Sequence, residues 1–193
     1  MTVVVKLGGS LAAAGTLASW LAVVSEHGGG RAVIVPGGGD FADAVRETQR
    51  RYGFSDLAAH RMAVLAMEQY AWMLLDLAPA LVACASAPEM RAALGHGGVA
   101  LWLPSRMVLA DPLIAGRWRV TSDSLAAWLA RRLEATHLVL VKSAPAPSAT
   151  TAELAVLGYV DPAFPDYAEA AGCPVSCCGP GEGARLAAAL ALG

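Results

Sequence analysis

Two lysines are the residues best placed to do chemistry, because the chain has 14 lysines and arginines and only Lys6 and Lys142 are lysines. Each follows a short apolar run, residues 3–5 and residues 138–141. A lysine ammonium is a compact charge on a flexible stem, so it can stay close to an anionic group that moves during a reaction. The pattern favours two lysines that neutralise a phosphoryl group, and ordinary strand-end charges are the alternative.

Asp123 could orient both ammonium groups. It lies at the start of a strongly periodic segment, Ser124–Glu134, which predicts a helix with Thr121 or Ser122 as its N-cap. An aspartate at this position also stabilises a helix start by itself. The two roles are compatible.

Two glycine clusters follow predicted strands, Gly8-Gly9-Ser10 and Gly37-Gly38-Gly39. Ligands of an open parallel sheet bind at the carboxyl ends of the strands, next to helix N-termini that attract anions. Glycine lets the backbone approach a phosphate closely, so both clusters could cradle phosphoryl oxygens, with tight packing of the turn as the alternative. Neither cluster matches the P-loop or the GxGxxG fingerprint, which disfavours a P-loop NTPase or a nicotinamide dehydrogenase.

The elements that must position these residues alternate along the chain. The predicted strands are Val3–Val5, Ala32–Val35, Leu81–Cys84, Val99–Leu103, His137–Lys142 and Pro174–Ser176. The predicted helices are Leu11–Glu26, Asp40–Arg51, Ser55–Leu77, Pro88–Leu94, Ser124–Glu134 and Glu182–Leu192. Strands that are apolar on both faces are typical of a parallel sheet with helices on both sides. We expect one doubly wound α/β domain over residues 1–193.

The composition excludes several classes of protein. A chain with 56% hydrophobic and 16% charged residues is not disordered. Its formal net charge of -2 gives no basic footprint for nucleic acid. Residues 62–85 are too interrupted by polar side chains to span a membrane, and residues 1–6 do not resemble a signal peptide. We expect a cytoplasmic protein without a nucleic-acid or membrane partner.

The cysteines and histidines do not indicate a metal site. The cysteines show no paired spacing, which agrees with a reducing compartment: Cys84, Cys173, Cys177 and Cys178. Small buried thiols are preferred over metal ligands for the last three, because no histidine lies nearby. The histidines also lack ligand spacing and are expected in turns or on helix surfaces: His27, His60, His96 and His137.

These residues together resemble the amino acid kinase family. The resemblance rests on four motifs in the family's order, VVVKLGGSL at Val3–Leu11, VIVPGGGDFADAVR at Val33–Arg46, WRVTSDSLAAWLA at Trp118–Ala130 and LVLVKS at Leu138–Ser143. It implies a three-layer αβα sandwich with a mainly parallel central sheet. It also implies transfer of the γ-phosphoryl group of ATP to an acidic acceptor, without a covalent enzyme intermediate.

The resemblance implies a role for each site residue on the nucleotide side. Lys6 would stabilise the transferring phosphoryl group, and Gly8 and Gly9 would donate backbone N–H groups to it. Ser10 would hold phosphate oxygens. Lys142 would neutralise the ADP leaving group, with Ser143 beside it in the nucleotide site. Mg²⁺ would bridge the ATP phosphates, bound by nucleotide and water and not by a dedicated set of protein ligands.

On the acceptor side, the resemblance places Asp123 between the two lysines, and it lines the acceptor site with Gly37-Gly38-Gly39 and Ser122. An anionic acceptor needs cationic partners, and Arg46 and Arg61 are candidates because they lie on the helices that follow this loop. The alternative is that both arginines face solvent on those helices and do not contact the acceptor.

One branch of the family is especially similar, the short kinases of methanofuran and methylofuran biosynthesis. The similar segments are AAHRMAVLAMEQY at Ala58–Tyr70, LWLPSRMVLADPL at Leu101–Leu113 and VDPAFP at Val160–Pro165. This resemblance implies that the acceptor is the phosphate monoester of 5-(aminomethyl)-3-furanmethanol, which becomes a diphosphate. Two alternatives stay open: a family kinase for a carboxylate, carbamate or nucleoside monophosphate, and a non-catalytic nucleotide-binding or oxyanion-binding storage protein of the same fold.

Two further expectations concern the nucleotide base and assembly. Residues 143–151 lack the Asp-rich turn found in many family kinases, so the base pocket is not predicted. The helix over residues 55–77 is rich in methionine and aromatic side chains, which are typical of a core or of a dimer seam. We expect a homodimer through this helix.

Overall fold

The structure is a computed structural model that describes residues 1–112, 114 and 120–191. Four residues at the ends of predicted motifs or elements lie outside these ranges: Leu113, Trp118, Arg119 and Leu192. The described strands are β1 Val3–Leu7, β2 Ala32–Pro36, β3 Leu81–Cys84, β4 Val99–Trp102, β5 His137–Val141 and β6 Val175–Cys178. The described helices are α1 Leu17–His27, α2 Gly39–Tyr52, α3 Asp56–Leu77, α4 Ala87–Gly95, α5 Ser105–Val108, α6 Ser122–Leu133, α7 Thr151–Val156, α8 Phe164–Ala171 and α9 Gly183–Ala191.

The six strands form one parallel sheet in the order β3-β4-β2-β1-β5-β6. Its central strand β1 is fully buried. Alternate residues of β1 belong to two separate cores, Val4 to one and Val3 and Val5 to the other. One core packs under α6 and α8, and the other under α1 and α9. The three-layer αβα sandwich and the parallel sheet are therefore confirmed.

The direction of the chain connections reverses between β1 and β5. The chain leaves β1 toward β2 on one side of the sheet and leaves β5 toward β6 on the other. A crevice forms at the carboxyl ends of two such strands because their following loops diverge. The register places Lys6 opposite Leu140 and Leu7 opposite Val141. Lys142, the next residue after β5, therefore emerges beside the end of β1.

One predicted helix start was wrong, and three described helices, α5, α7 and α8, were not predicted. The first helix begins at Leu17 and not at Leu11, because a short 3₁₀ helix over Gly9–Leu11 leads into a turn that closes at Gly15 with φ of 69°. The left-handed backbone at Gly15 cannot continue a helix. Helix α7 was not predicted, yet Thr150 and Glu153 form a reciprocal capping box at its start. No helix in the described ranges is both long enough and apolar enough to cross a membrane.

Candidate active site

Three charged side chains meet at the crevice between β1 and β5. Lys6 projects from β1, Lys142 follows β5, and Asp123 is the second residue of α6. The Lys6 Nζ lies 2.9 Å from Asp123 Oδ1, and the Lys142 Nζ lies 2.6 Å from Asp123 Oδ2. Lys6 and Asp123 are each 4% exposed. One carboxylate thus bridges two ammonium groups and leaves one net positive charge in a buried site.

Lys6, Asp123 and Lys142 form an ion triad, and its charges shift the pKa values of Asp123 and Lys142. Burial by itself would raise the pKa of Asp123, but the ammonium groups of Lys6 and Lys142 outweigh burial and hold that pKa below its ordinary value. Burial and the charge of Lys6 lower the pKa of Lys142 to about 8, although Asp123 opposes the shift. The carboxylate is therefore ionised at neutral pH, and Lys142 loses its proton in a mildly alkaline range.

Asp161 fixes the start of α6 and with it the position of Asp123. Its carboxylate accepts hydrogen bonds from the N–H and hydroxyl of Thr121, at 3.1 and 2.8 Å. It also accepts bonds from the N–H and hydroxyl of Ser124, at 3.0 and 2.5 Å. The Ala163 N–H adds a fifth bond, at 3.1 Å. Sequence reasoning missed this role. The only local signal is an Asp-Pro pair, which indicates a turn and not a partner about 40 residues away.

The two glycine loops lie in direct backbone contact. A Cβ on Gly9 would meet the Gly39 N at 2.2 Å, and a Cβ on Gly37 would meet the Gly9 N at the same distance. Gly39 has a φ of 49°, and a Cβ there would meet the Tyr70 ring at 2.7 Å. The Tyr70 hydroxyl donates to the Gly9 carbonyl at 3.4 Å. Glycine is therefore required for the loops to approach each other, whether or not they also hold a phosphate.

One predicted role needs correction. The Gly8 N–H is donated to the Val141 carbonyl at 2.9 Å, which extends the ladder between β1 and β5 by one residue. In this conformation it is not available to a phosphoryl group. The hydroxyl oxygens of Ser10 and Ser143, two residues predicted for the nucleotide site, lie 2.8 Å apart.

The triad opens into a cleft of about 640 Å³ between α2, α6 and the segment after α7. Its wall carries Arg46, Arg50 and Lys142 as well as Asp123. Arg46 lines this cleft, and its guanidinium also pairs with Asp43 at 2.5 Å. The Tyr159 ring lies 5.4 Å from the Lys142 Nζ and covers the ammonium group from one side.

A smaller cavity of about 40 Å³ adjoins this cleft and is lined by Gly38, Ser122 and His60 among others. The prediction of a surface or turn position for His60 was wrong, because this side chain is 6% exposed. Arg61 is exposed on α3 and lines neither the cleft nor this cavity. Consecutive residues of a helix point about 100° apart, and here His60 faces the cavity while Arg61 faces away from it.

A further cleft of about 320 Å³ lies between the loop after β5 and β6. Its lining includes Pro147, Ser148, Ser176, Cys177 and Arg185. Gly179 packs against the same loop, since a Cβ there would meet the Ala144 carbonyl at 2.9 Å.

All four cysteines are free thiols, and three of them are buried, Cys84, Cys177 and Cys178. Cys173 is partly exposed. In the part of the chain that the structure describes, no group of three or more His, Cys, Asp or Glu side chains could hold a metal ion.

Comparison with known proteins adds relatives in sequence and in structure. A model of the amino acid kinase family matches residues 1–146. The chain is 26% identical over 138 residues to a Methanocaldococcus jannaschii protein named [5-(aminomethyl)furan-3-yl]methyl phosphate kinase. The matched region covers 71% of this chain and 63% of that protein. The chain thus spans less than two thirds of this curated relative.

Solved structures with the same fold include two kinases. The uridylate kinase of Archaeoglobus fulgidus superposes with a TM-score of 0.71 at 17% identity, over 99% of this chain and 96% of that one. The UMP kinase of Bacillus anthracis superposes with a TM-score of 0.73 at 13% identity, over 97% and 92%. At these identities, the superpositions establish the fold alone.

Proposed function

Because this chain belongs to the amino acid kinase family, we propose that it transfers the γ-phosphoryl group of ATP to 5-(aminomethyl)-3-furanmethanol phosphate and forms the corresponding diphosphate. The observation that carries the proposal is the buried ion triad of Lys6, Asp123 and Lys142 at the crevice between β1 and β5. Burying two ammonium groups around one carboxylate is costly unless an anion completes the balance of charge. A polyphosphate supplies that anion.

In the proposed reaction, a phosphate oxygen of the acceptor attacks the γ-phosphorus of ATP. The bond between the γ-phosphorus and the β–γ bridging oxygen breaks, and its electron pair leaves with ADP. The acceptor needs no general base, because the second pKa of a phosphate monoester is about 6 and the group is ionised at neutral pH. Positioning and charge neutralisation are then the main tasks of the protein.

The lysines perform those tasks on opposite sides of the transferring group. Lys6 stabilises the phosphoryl group in transit, and Lys142 neutralises the charge that develops on ADP. Asp123 holds both ammonium groups at fixed positions, so little reorganisation is needed in the transition state. The same fixed pair argues against a non-catalytic binding protein, because simple oxyanion binding does not require charges on both sides of the transferring phosphorus.

The two clefts suggest where the substrates bind. ATP extends from Lys142 toward the 320 Å³ cleft beside β6, and the acceptor enters the 640 Å³ cleft on the side of α2. Arg46 and Arg50 supply positive charge to the acceptor's phosphate there. Mg²⁺ would enter with ATP, held by phosphate oxygens and water, and would neutralise part of the polyphosphate charge. No protein ligand set for Mg²⁺ is proposed.

The identity to the Methanocaldococcus jannaschii protein favours the furan phosphate over the other acceptor classes. A phosphate monoester also fits a cleft with two arginines, since guanidinium groups bind phosphate in a bidentate geometry. Carboxylates, carbamates and nucleoside monophosphates are the competing acceptors, and a direct assay separates them.

The test is phosphorus NMR of the purified protein with Mg-ATP and 5-(aminomethyl)-3-furanmethanol phosphate. We expect ADP together with a new pair of coupled doublets from an organic diphosphate. ATP that persists with this acceptor but is consumed with a carboxylate, a carbamate or a nucleoside monophosphate would replace the proposed acceptor. ATP that persists with all of them would overturn the kinase proposal.

A matched variant connects turnover to the triad. Lys142→Ala removes one preorganised charge and should lower kcat by about 100-fold or more, with a smaller effect on the KM of the acceptor. Arg91→Ala, an exposed change on α4, is the control and should leave kcat unchanged. A change confined to KM in Lys142→Ala would contradict the role given to this lysine.

A further inference from the structure

His60 is a buried polar side chain for which the phosphoryl transfer described above has no use. It lies in the second turn of α3 and is 6% exposed. Within residues 1–112, 114 and 120–191, its ring takes part in no hydrogen bond or ion pair. Its nitrogens are not among the fully enclosed side-chain atoms that lack a partner, so they are open to a group that enters the cavity beside them.

The ring lines a cavity that is otherwise mostly apolar. The cavity holds about 40 Å³, on the order of three water molecules by the usual criterion for such volumes. Its apolar walls come from three helices: Ala42, Ala63, Val64, Met67 and Leu125. Such a space admits a compact group and not a whole nucleoside.

The cavity opens beside the predicted acceptor loop. Gly38 and Ser122 form part of its lining, and Arg46 borders both this cavity and the larger cleft. A phosphate held near Arg46 would thus leave the rest of a small acceptor pointing toward His60. Burial lowers the pKa of His60, so the ring is uncharged at neutral pH and offers one N–H donor and one nitrogen lone pair.

We propose that His60 recognises the body of the acceptor through a hydrogen bond from its imidazole to a polar atom of a compact heterocyclic phosphate monoester. The hydrogen bond selects and orients the acceptor, while Lys6 and Lys142 act on the phosphoryl groups. This inference rests on the proposed function and names a specificity residue for it. The proposed hydrogen bond also gives the His60 ring a partner, which the described residues do not supply.

The test compares His60→Leu, His60→Gln and wild type in steady-state kinetics with the furan phosphate and Mg-ATP. His60→Leu keeps the volume and removes the hydrogen bond, so kcat/KM for the acceptor should fall about 10- to 100-fold. The KM for ATP should not change, because the nucleotide lies on the other side of the triad. His60→Gln keeps a donor and an acceptor and should recover a large part of the loss.

Thermal unfolding separates recognition from a structural role. A histidine that binds substrate and makes no hydrogen bond within the described residues should be replaced by leucine with little change in Tm, because no bond of the fold is lost. A lower Tm together with equal losses toward both substrates would identify a structural residue and overturn the inference. His27→Leu, at an exposed position on α1, is the control and should alter neither property.

The outcomes for the function and for His60 are distinct. Wild-type transfer to the furan phosphate with an unchanged kcat/KM in His60→Leu would overturn the role of His60 and leave the proposed function intact. Absence of transfer by the wild type would overturn both. Selective loss toward the acceptor, with a stable fold, would establish His60 as a specificity residue.

Discussion

Lys142 has one positive neighbour, Lys6, and one negative neighbour, Asp123, and its protonation depends on both. Burial and Lys6 lower its pKa to about 8, while Asp123 opposes the shift. An ammonium that neutralises ADP must be protonated in the free enzyme when ATP arrives. The pH dependence of activity therefore reports directly on the triad.

We expect kcat/KM for ATP to fall as pH rises through about 8, by about tenfold for each further pH unit. The decline in kcat should begin at a higher pH, because bound phosphates favour the charged lysine. The comparison is the pH profile of Lys142→Arg, because the arginine side chain keeps its charge throughout this range. An identical alkaline decline in both proteins would assign the titration to another group.

The protonation of Lys142 should also affect folding stability, which is expected to rise with pH while activity falls. Its folded pKa of about 8 lies below its ordinary value of 10.5. Between these values the unfolded chain binds more protons, so the contribution of Lys142 to folding stability rises with pH across that window. Urea unfolding of wild type and Lys142→Met at pH 7.5 and at pH 10 is the measurement. The unfolding free energy should rise less between these two pH values in the variant than in the wild type.

Asp161 is a positioning residue that acts through the start of α6. Its carboxylate accepts five hydrogen bonds, four of them from Thr121 and Ser124. Asp161→Ala leaves buried donors unpaired, so unfolding free energy should fall by about 3 kcal/mol. Because Asp123 then loses its fixed place, kcat should fall more than the KM for ATP rises.

Asp161→Asn keeps a carboxamide oxygen and should recover part of kcat and of stability. Asp166→Ala, an exposed change on α8, is the matched control and should leave both near wild type. If Asp161→Ala loses stability but retains full kcat, Asp161 supports the fold without positioning Asp123.

At the scale of elements, the loops after β1 and β2 act as one unit. They approach so closely that a Cβ on Gly9 would meet backbone atoms of Gly39 at 2.2 and 2.7 Å. Backbone cannot yield as a flexible side chain can, so one loop must move. Because the second loop carries Gly38 into the acceptor cavity, its displacement reaches the substrate site.

Gly9→Ala should therefore lower unfolding free energy by about 2 kcal/mol, the scale of an overpacked site. It should also raise the KM of the acceptor. Gly95→Ala is the control, because Gly95 lies in α4 with open space around it and should tolerate a methyl group. Denaturant unfolding and acceptor kinetics measure both effects. Equal stability of the two variants would show that the loops separate without cost.

At the scale of the whole molecule, α3 both closes the acceptor cavity and exposes apolar side chains. Leu65, Trp72 and Leu77 are 46%, 57% and 59% exposed. An adjoining groove of about 650 Å³ lies between α1 and the end of α3, and its lining is mostly apolar. Large exposed apolar side chains beside an apolar groove are typical of an interface. We propose that it pairs two copies of the chain.

Trp72→Glu introduces a charge into this surface and should convert the dimer to a monomer, as measured by light scattering coupled to size exclusion. Val156→Glu is the control, because Val156 on α7 is 88% exposed and lies on a different helix. A wild type that elutes as a monomer at micromolar concentration would contradict the proposed dimer.

The sequence alone determined the architecture and the central charges. Apolar runs that alternate with helical periodicity indicate a covered parallel sheet, and the order of the motifs indicated the kinase family. Lys6 is the penultimate residue of β1 and Lys142 directly follows β5, two strands that are visible in the local pattern, and Asp123 is the second residue of a helix with a recognisable cap. Such features depend on neighbours within a few residues, so no long-range contact is needed to predict them.

Only the tertiary structure decided which groups find partners. Asp161 reaches Thr121 across 40 residues, and the N–H of Gly8 is taken by β5 from the far part of the chain. His60 is buried because α2, α3 and α6 converge around it. Hydrogen bonds and burial of this kind depend on which strands are neighbours and on how helices pack over them. Residues adjacent in sequence carry no signal of either.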